Sequence, residues 1–282
     1  MWYYLVGGIL MLYIVATPIG NLADITLRAL ETLRKSDLIA CEDTRKTQVL
    51  LKHYEIQKPL MAFHEHNEQE KSEDIIELLK QGKTISVVSD AGMPGISDPG
   101  SRLIKRLIEE DLEFSVLPGA SAFTTALVFS GLDTDSFSFL GFLPVKGMAR
   151  RNLLEVIEKE PRTLILYEAP HRLDKTMADL MTRIPERKIA IIRELTKIYE
   201  EAIRFKIKDY DQQDFVKKGE MVLVIEKAEK EEMDEEIILS KLEEAIKSGM
   251  RKSQAAKQVA KDHKLKKNYV YDLAKKLKKT NT

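Results

Sequence analysis

At 282 residues the chain is long enough for two domains and can bury a sizeable core without disulfide or metal staples. An apolar fraction of 44% and a charged fraction of 32% are those of a globular protein, and 45 basic residues balanced by 45 acidic ones exclude a global basic field for nucleic acid. The single cysteine, Cys41, excludes an internal disulfide and a multi-cysteine zinc site; inside the apolar run DLIAC it reads as a core residue in a reducing compartment. The opening stretch MWYYLVGGILMLYIVATPIGNLA carries no charge before Asp24, which raises a membrane-protein reading. It lacks basic flanks, and Gly7, Gly8 and Pro18 interrupt it, so a soluble, cytoplasmic protein is expected, with residues 1–10 as an extension.

From Met11 the chain alternates short β-branched runs with amphipathic segments. LYIVA, DLIAC, PLMAF, TISVVS and EFSVLP read as strands, separated by helices over DITLRALETLRKS, TRKTQVLLKHY, SEDIIELLKQG and SRLIKRLIEED, with ASAFTTALVFSG closing the series. That alternation predicts an α/β domain over 11–131 built on a mainly parallel sheet. A second α/β domain is expected over 132–228: FSFLGF, a basic helix from Met148 to Glu158, RTLILYE, a helix from His171, KIAIIRE, and then EEAIRFKIK and EMVLVIE, which lack long helices between them and read as partly antiparallel. Residues 229–246 read as an acidic hinge, the stretch 226–244 carrying nine acidic residues against three lysines. Residues 247–282 reverse the sign, with twelve lysines and arginines against Asp262 and Asp272. Ala255, Ala256, Val259 and Ala260 form one apolar stripe there, and Tyr269, Leu273, Ala274 and Leu277 another. Two short helices resembling a helix-turn-helix, presenting Arg251, Lys252, Lys266 and Lys267 to RNA, are expected.

The stretch VVSDAGMPGISDPG follows the most apolar strand and packs three glycines, two prolines and two aspartates between Asp90 and Gly100. It contains no GxGxxG. GISDPGSR has the glycine spacing of a phosphate loop, but Ser101-Arg102 replaces the Lys-Ser/Thr pair, Pro99 removes an N–H, and Asp98 repels polyphosphate. Its carbonyls and Asp90 can instead accept hydrogen bonds from hydroxyls or an amine, and its negative potential suits a cationic centre. A nucleoside bearing a sulfonium, S-adenosylmethionine, meets those conditions; a purely structural strand-to-helix turn meets them too.

Eight ordered motifs, LYIVATPIGNLADITLRALETL, DLIACEDTRKTQVLL, FHEHNE, SDAGMPGISDPG, GFLP, LYEAPHR, RELTK and KGEMVLVIE, resemble the ribosomal RNA small subunit methyltransferase I family of the tetrapyrrole methylase superfamily. The likeness runs from Met11 to the basic tail. It departs from the family pattern at Ala16, where a proline is common, at Met93, where threonine is usual, and beyond Pro118-Gly119. The resemblance implies two α/β domains with S-adenosylmethionine in the cleft between them, a homodimer, and methylation of a cytidine ribose 2′-hydroxyl in the decoding region of 16S rRNA. It carries cofactor contacts onto Pro18, onto Asp90, Ala91, Gly92, Met93 and Pro94, onto Ser121 and Ala122, and onto Tyr167 and Met221. A superfamily enzyme acting on a corrinoid precursor or diphthamide, and a non-enzymatic RNA-binding assembly factor, are the competing readings.

Transfer to a hydroxyl requires alignment and relief of a weakly acidic proton. Candidate bases are Glu168 and Glu194, each following an apolar strand expected to aim it into the cleft, with Glu42 and Asp43 of CEDTR behind them. Arg45, Lys46, Arg150, Arg151 and Arg172 are the candidate phosphate contacts around the cleft. His64 and His66 share one face of an extended FHEHNE segment, but no third ligand accompanies them and no metal is expected.

Overall fold

The computed structural model describes residues 11–228, 235–263, 265 and 267–277, so the expected extension over 1–10 lies outside the described residues. The chain divides into two compact units, Met1–Ala228 and Glu229–Thr282.

The first unit holds two five-stranded sheets. In chain order the first half comprises β1 (Leu12–Val15), α1 (Leu27–Lys35), β2 (Leu38–Cys41), α2 (Thr44–His53), β3 (Leu60–Ala62), α3 (Glu68–Lys80), β4 (Ile85–Val88), α4 (Ser101–Glu109) and β5 (Phe114–Leu117). Its sheet is parallel throughout, in the order β3-β2-β4-β1-β5. Strand β4 is buried along its whole length because helices cover both faces, and its one polar residue, Ser86, shares a hydrogen bond with Ser36 at 2.7 Å. Ala29, Leu30 and Leu33 of α1 and Leu51 of α2 pack with Val15, Ile39, Cys41 and Val88 on one face. On the other, Ile75, Ile76 and Leu79 of α3 and Leu103 and Leu107 of α4 pack with Leu12, Ile14, Ile85 and Val87. Cys41 is fully buried, and that burial pushes its thiol pKa up, as a core cysteine requires.

The second half comprises α5 (Ala122–Ser130), β6 (Phe137–Phe142), α6 (Gly147–Lys159), β7 (Thr163–Glu168), α7 (Pro170–Arg183), β8 (Lys188–Arg193), β9 (Glu201–Lys206) and β10 (Met221–Ile225). The sheet order is β6-β7-β10-β8-β9, parallel at β6/β7 and antiparallel elsewhere. Alternate residues of β7 face opposite layers: Leu164 and Leu166 join the core beneath α6 and α7, whereas Ile165 and Tyr167 face α5. Helix α5 therefore belongs with the second sheet. Its Ala126 and Leu127 pack against Ile165, Ala190, Ile192 and Val222, so residues 122–130, expected in the first domain, close over the second.

The second unit is a bundle of α8 (Glu235–Lys247), α9 (Lys252–Asp262) and α10 (Lys267–Lys276). The expectation of an acidic hinge to residue 246 is corrected: from Glu235 the segment is helix and buries Ile238 and Leu242 against Ala255, Ala256, Val259 and Leu273, leaving its acidic side chains outward. Its partner stripe on α10 runs through buried Val270 in place of Tyr269, which is exposed. Among the described residues no helix is long and apolar enough to cross a membrane.

One candidate phosphate contact proves to be internal scaffolding. Arg150 of α6 is buried; its guanidinium donates to Asp179 Oδ2 at 2.8 Å, to the Pro144 carbonyl at 2.9 Å and to Thr176 Oγ1 at 3.2 Å. Arg150 shares the i, i+4, i+7 stripe of buried Leu154 and Ile157, and exposed Arg151 lies off it. Arg150→Ala is expected to destabilise the chain by about 1.5–3 kcal/mol, the range for hydrogen bonds to a charged group. Urea midpoints will check this.

Candidate functional site

The site forms where the loops after β1, β4 and β5 meet, at the carboxyl ends of parallel strands where open α/β sheets present ligand loops. Thr17 and Gly92 exchange backbone hydrogen bonds in both directions, at 2.9 and 3.0 Å, and Thr17 Oγ1 donates to the Ser89 carbonyl at 3.1 Å. Gly92 adopts φ +81°, a conformation costly for any residue with a Cβ. The third loop is equally close: a Cβ on Gly119 would stand 2.7 Å from that of Ala16.

The far end of the glycine loop is held by a carboxylate. Glu68, buried at the start of α3, accepts the Gly100 N–H at 2.8 Å and the Arg102 N–H at 3.2 Å through Oε1. These are first-turn donors of α4, the end of a helix that otherwise attracts anions. The chain fills that position with its own negative charge, which explains how a glycine-rich loop at a helix start is no phosphate cradle. Glu68 is the last residue of FHEHNE, and sequence reasoning gave it no role. His66 lies in a turn, not an extended segment; its ring is 6.0 Å from that of His64, and among the described residues no cluster of three or more metal-ligating side chains occurs.

Between these loops and the second sheet lies a cavity of about 300 Å³. Of the expected cofactor contacts, Ala91, Gly92, Met93, Ser121, Ala122, Tyr167 and Met221 line it. Pro18 and Asp90 instead border a second cavity of about 290 Å³, which Ala91 shares. Pro94 lines neither; it is buried beneath the loop. No Lys, Arg or His lines the first cavity, whereas Asp98, Glu168 and Glu220 do.

Carboxylates crowd this end of the sheet. Burial, then the charge of Glu42 and that of Asp90, push the Asp98 pKa up to about 7, against the opposing Ser89 hydroxyl. Glu42 is likewise raised, by burial and then by Asp90. Asp90 itself is occupied: Oδ1 accepts the Asp43 N–H at 3.0 Å and Oδ2 the Lys46 ammonium at 2.7 Å. Burial and the Asp98 charge push the Tyr167 phenol up to about 12. Asp98 entered the sequence reading only as a charge repelling polyphosphate; its burial depends on the second sheet and was not readable from the loop. Its folded pKa exceeds that of an unfolded aspartate, about 3.9. The folded chain therefore binds more protons in that window, and this group's contribution to stability is greatest at low pH and falls as pH rises from about 4 to about 7.

The four expected bases separate clearly. Asp43 is the N-cap of α2: its Oδ1 accepts the Arg45 N–H at 2.9 Å, and the Arg45 guanidinium holds its pKa well below the usual carboxylate range. Glu194, expected to point into the cleft, lines neither cavity; it accepts from Lys197 Nζ at 2.9 Å and the Glu220 N–H at 3.2 Å, and Lys197 lowers its pKa. Glu168 does reach the first cavity but is engaged by the Ala169 N–H at 2.8 Å, Thr176 Oγ1 at 2.5 Å and the nearby Arg172 guanidinium at 3.5 Å. Arg172, an expected phosphate contact, spends its side chain on Glu168 and on the Leu143 carbonyl. Glu42, behind the Asp90 loop, lines neither cavity. Of the other expected RNA contacts, Arg45, Lys46, Arg151, Arg251 and Lys267 have exposed side chains, Lys252 donates to the Leu277 carbonyl, and Lys266 lies outside the described residues.

A family model of tetrapyrrole (corrin/porphyrin) methylases matches residues 11–211. The ribosomal RNA small subunit methyltransferase I of Haemophilus influenzae is 47% identical over 268 residues, 93% of this chain and 95% of that protein. That of Halalkalibacterium halodurans is 44% identical over 270 residues, 93% of each. The chain belongs to the ribosomal RNA small subunit methyltransferase I family. Among solved structures, a diphthine synthase aligns with TM-score 0.63 at 16% identity, over 77% of this chain and 90% of that one. A uroporphyrin-III-C-methyltransferase from Thermus thermophilus aligns with TM-score 0.57 at 18% identity, over 77% and 94%. At such identities they establish the shared fold alone.

Glu68→Ala leaves two first-turn donors of α4 without their acceptor and is expected to cost roughly 1–3 kcal/mol. Denaturant unfolding will measure it, and amide exchange at Gly100 and Arg102 will report whether the loss is local.

Proposed function

We propose that this chain transfers a methyl group from S-adenosylmethionine to the ribose 2′-hydroxyl of a cytidine in the decoding region of 16S rRNA. It acts on the small ribosomal subunit, as a cytoplasmic homodimer. The observation that carries the reading is the charge of the first cavity: three carboxyl groups and no cationic side chain among its lining residues. That donor set suits a cationic ligand and opposes a polyphosphate. The apolar side chains of Ile19, Ile192, Met221 and Val222 offer a surface for a flat base, and the volume of about 300 Å³ lies at the lower end of the range of small-molecule sites.

When bound, S-adenosylmethionine supplies a methyl group on a cationic sulfur. The chain's own residues do the rest. Asp98, ionised above about pH 7, supplies negative potential in a partly desolvated site where it counts most. Tyr167 keeps its proton at neutral pH and serves as a donor. The walls from Ile19, Phe142 and Met221 exclude water, and alignment of the acceptor supplies most of the rate. With Glu168 engaged by Thr176, the Ala169 N–H and Arg172, and Glu194 outside the cavity, neither is assigned to the hydroxyl proton. The lysine-rich second unit supplies the sequence-independent attraction to RNA.

Incubation of the protein with methyl-labelled donor and small subunits from a strain lacking the gene is expected to place label on a cytidine ribose of 16S rRNA. Label in a small molecule alone, or on a base, would reject the assignment. The second expectation concerns pH. Calorimetric affinity for S-adenosylmethionine should rise as pH passes through about 7, while that for S-adenosylhomocysteine, whose sulfur is neutral, should rise less. Asp98→Asn should erase the difference between the two profiles.

A further inference from the structure

The second cavity, of about 290 Å³, has no part in holding the methyl donor as described above, and its chemistry is different. Two lysines line it from opposite halves of the first unit: Lys46 on α2, and Lys197 in the loop between β8 and β9. Each is paired with a carboxylate, Lys46 with Asp90 at 2.7 Å and Lys197 with Glu194 at 2.9 Å and Glu220 at 3.1 Å, and Asp90 and Glu220 line the cavity beside them. The loop bearing Lys197 is stiff. Glu194 and Thr196 sit at φ +52° and +63°, the Thr196 N–H donates to Glu200 at 2.6 Å, and Thr196 Oγ1 accepts the Asn21 N–H at 3.0 Å. Gly20 leaves no room for a side chain there: a Cβ would stand 2.7 Å from the Leu195 carbonyl and the Lys197 stem. Lys197 is thus held against the first domain's PIGN loop. Next to it, Ile198 and Tyr199 are 94% and 71% exposed.

The wall between the cavities is thin, since Ile19, Ala91 and Glu220 border both. A group in the second cavity therefore lies beside one in the first. We infer that the second cavity is the seat of the target nucleotide, Lys46 and Lys197 binding its flanking phosphates, with exposed Tyr199, two residues after Lys197, offering a face for an unstacked base. Lysine suits phosphate as a point charge with three rotatable donors, and the paired carboxylates fix each ammonium before RNA arrives. This inference rests on the proposed reading for its substrate, but its test does not require methyl transfer.

Binding of small ribosomal subunits to full-length Lys46→Gln, Lys197→Gln and Tyr199→Ala should be followed across a salt series, with S-adenosylmethionine affinity by calorimetry as the check on folding. Each lysine variant should weaken binding several-fold and lower the slope of log affinity against log salt by about 0.7–0.9, the contribution of one phosphate contact. Lys197→Arg should restore the slope. Tyr199→Ala should weaken binding with the slope intact. Unchanged affinity and slope in both lysine variants, with donor binding preserved, would overturn the inference while leaving the proposed activity standing. Lysine-dependent slopes in a wild-type protein that labels no RNA would support the site and reject the activity instead.

Discussion

A helix that starts at the edge of a ligand cleft aims unsatisfied N–H groups at whatever enters, and in this chain Glu68 answers them first. Its buried carboxylate binds the Gly100 and Arg102 N–H groups of α4, and so ties the end of the glycine loop to α3. The loop's other end is tied to the first strand's loop through Thr17 and Gly92. Between those anchors, Met93, Ser97 and Asp98 are presented to the second sheet as one wall of a cavity. Had the helix terminus been left open, the site would favour anions. Closed by Glu68, the loop shows the cavity Asp98, and its preference turns toward a cation.

That reversal spreads along the sheet edge. Burial and the neighbouring Asp90 charge raise the cost of ionising Glu42, and burial with the Glu42 and Asp90 charges raises that of Asp98. Asp90 takes the Asp43 N–H and Lys46, while Asp98 receives no such partner and has its pKa pushed up to about 7. The result is one cavity without a cationic side chain beside another that holds two lysines. On the proposed reading, a cationic donor and an anionic nucleic acid would occupy adjacent sites that share Ile19, Ala91 and Glu220 but no lysine.

The parallel sheet, its strand order aside, was legible because β4 is apolar but for Ser86 and because helices of regular period alternate with strands. The glycine positions were legible for the same local reason: Gly92, Gly95 and Gly100 all take positive φ. What escaped depends on residues distant in sequence. Nothing near Arg150 announces Asp179, and nothing near Glu68 announces Gly100, 32 residues on. Helix α5 was assigned to the wrong layer because its apolar face, rich in Ala and Leu, suits either sheet. Likewise an acidic run was read as a hinge although Ile238 and Leu242 lie four residues apart, the spacing of a buried helical stripe. Charge dominated that reading, and the apolar pair within it decided the structure.

The carboxylates at the strand ends show a related division of labour. Glu168 and Glu194 follow apolar strands, where a base might be sought, yet each is bound by at least two donors. Glu168 holds Thr176, Thr176 holds Arg150, and Arg150 holds Asp179 and the Pro144 carbonyl, so one network runs from the cavity wall through α7 into α6. Glu194 does the equivalent for Lys197 and the start of β10. A carboxylate holding two or more donors in this way acts as a strut. Rigidity of both walls suits a methyltransferase, because misplacing a reacting group by about 1 Å can cost about a hundredfold in rate. The site therefore spends its strand-end acids on geometry and leaves Asp98, the one with a pKa near neutrality, facing the cavity.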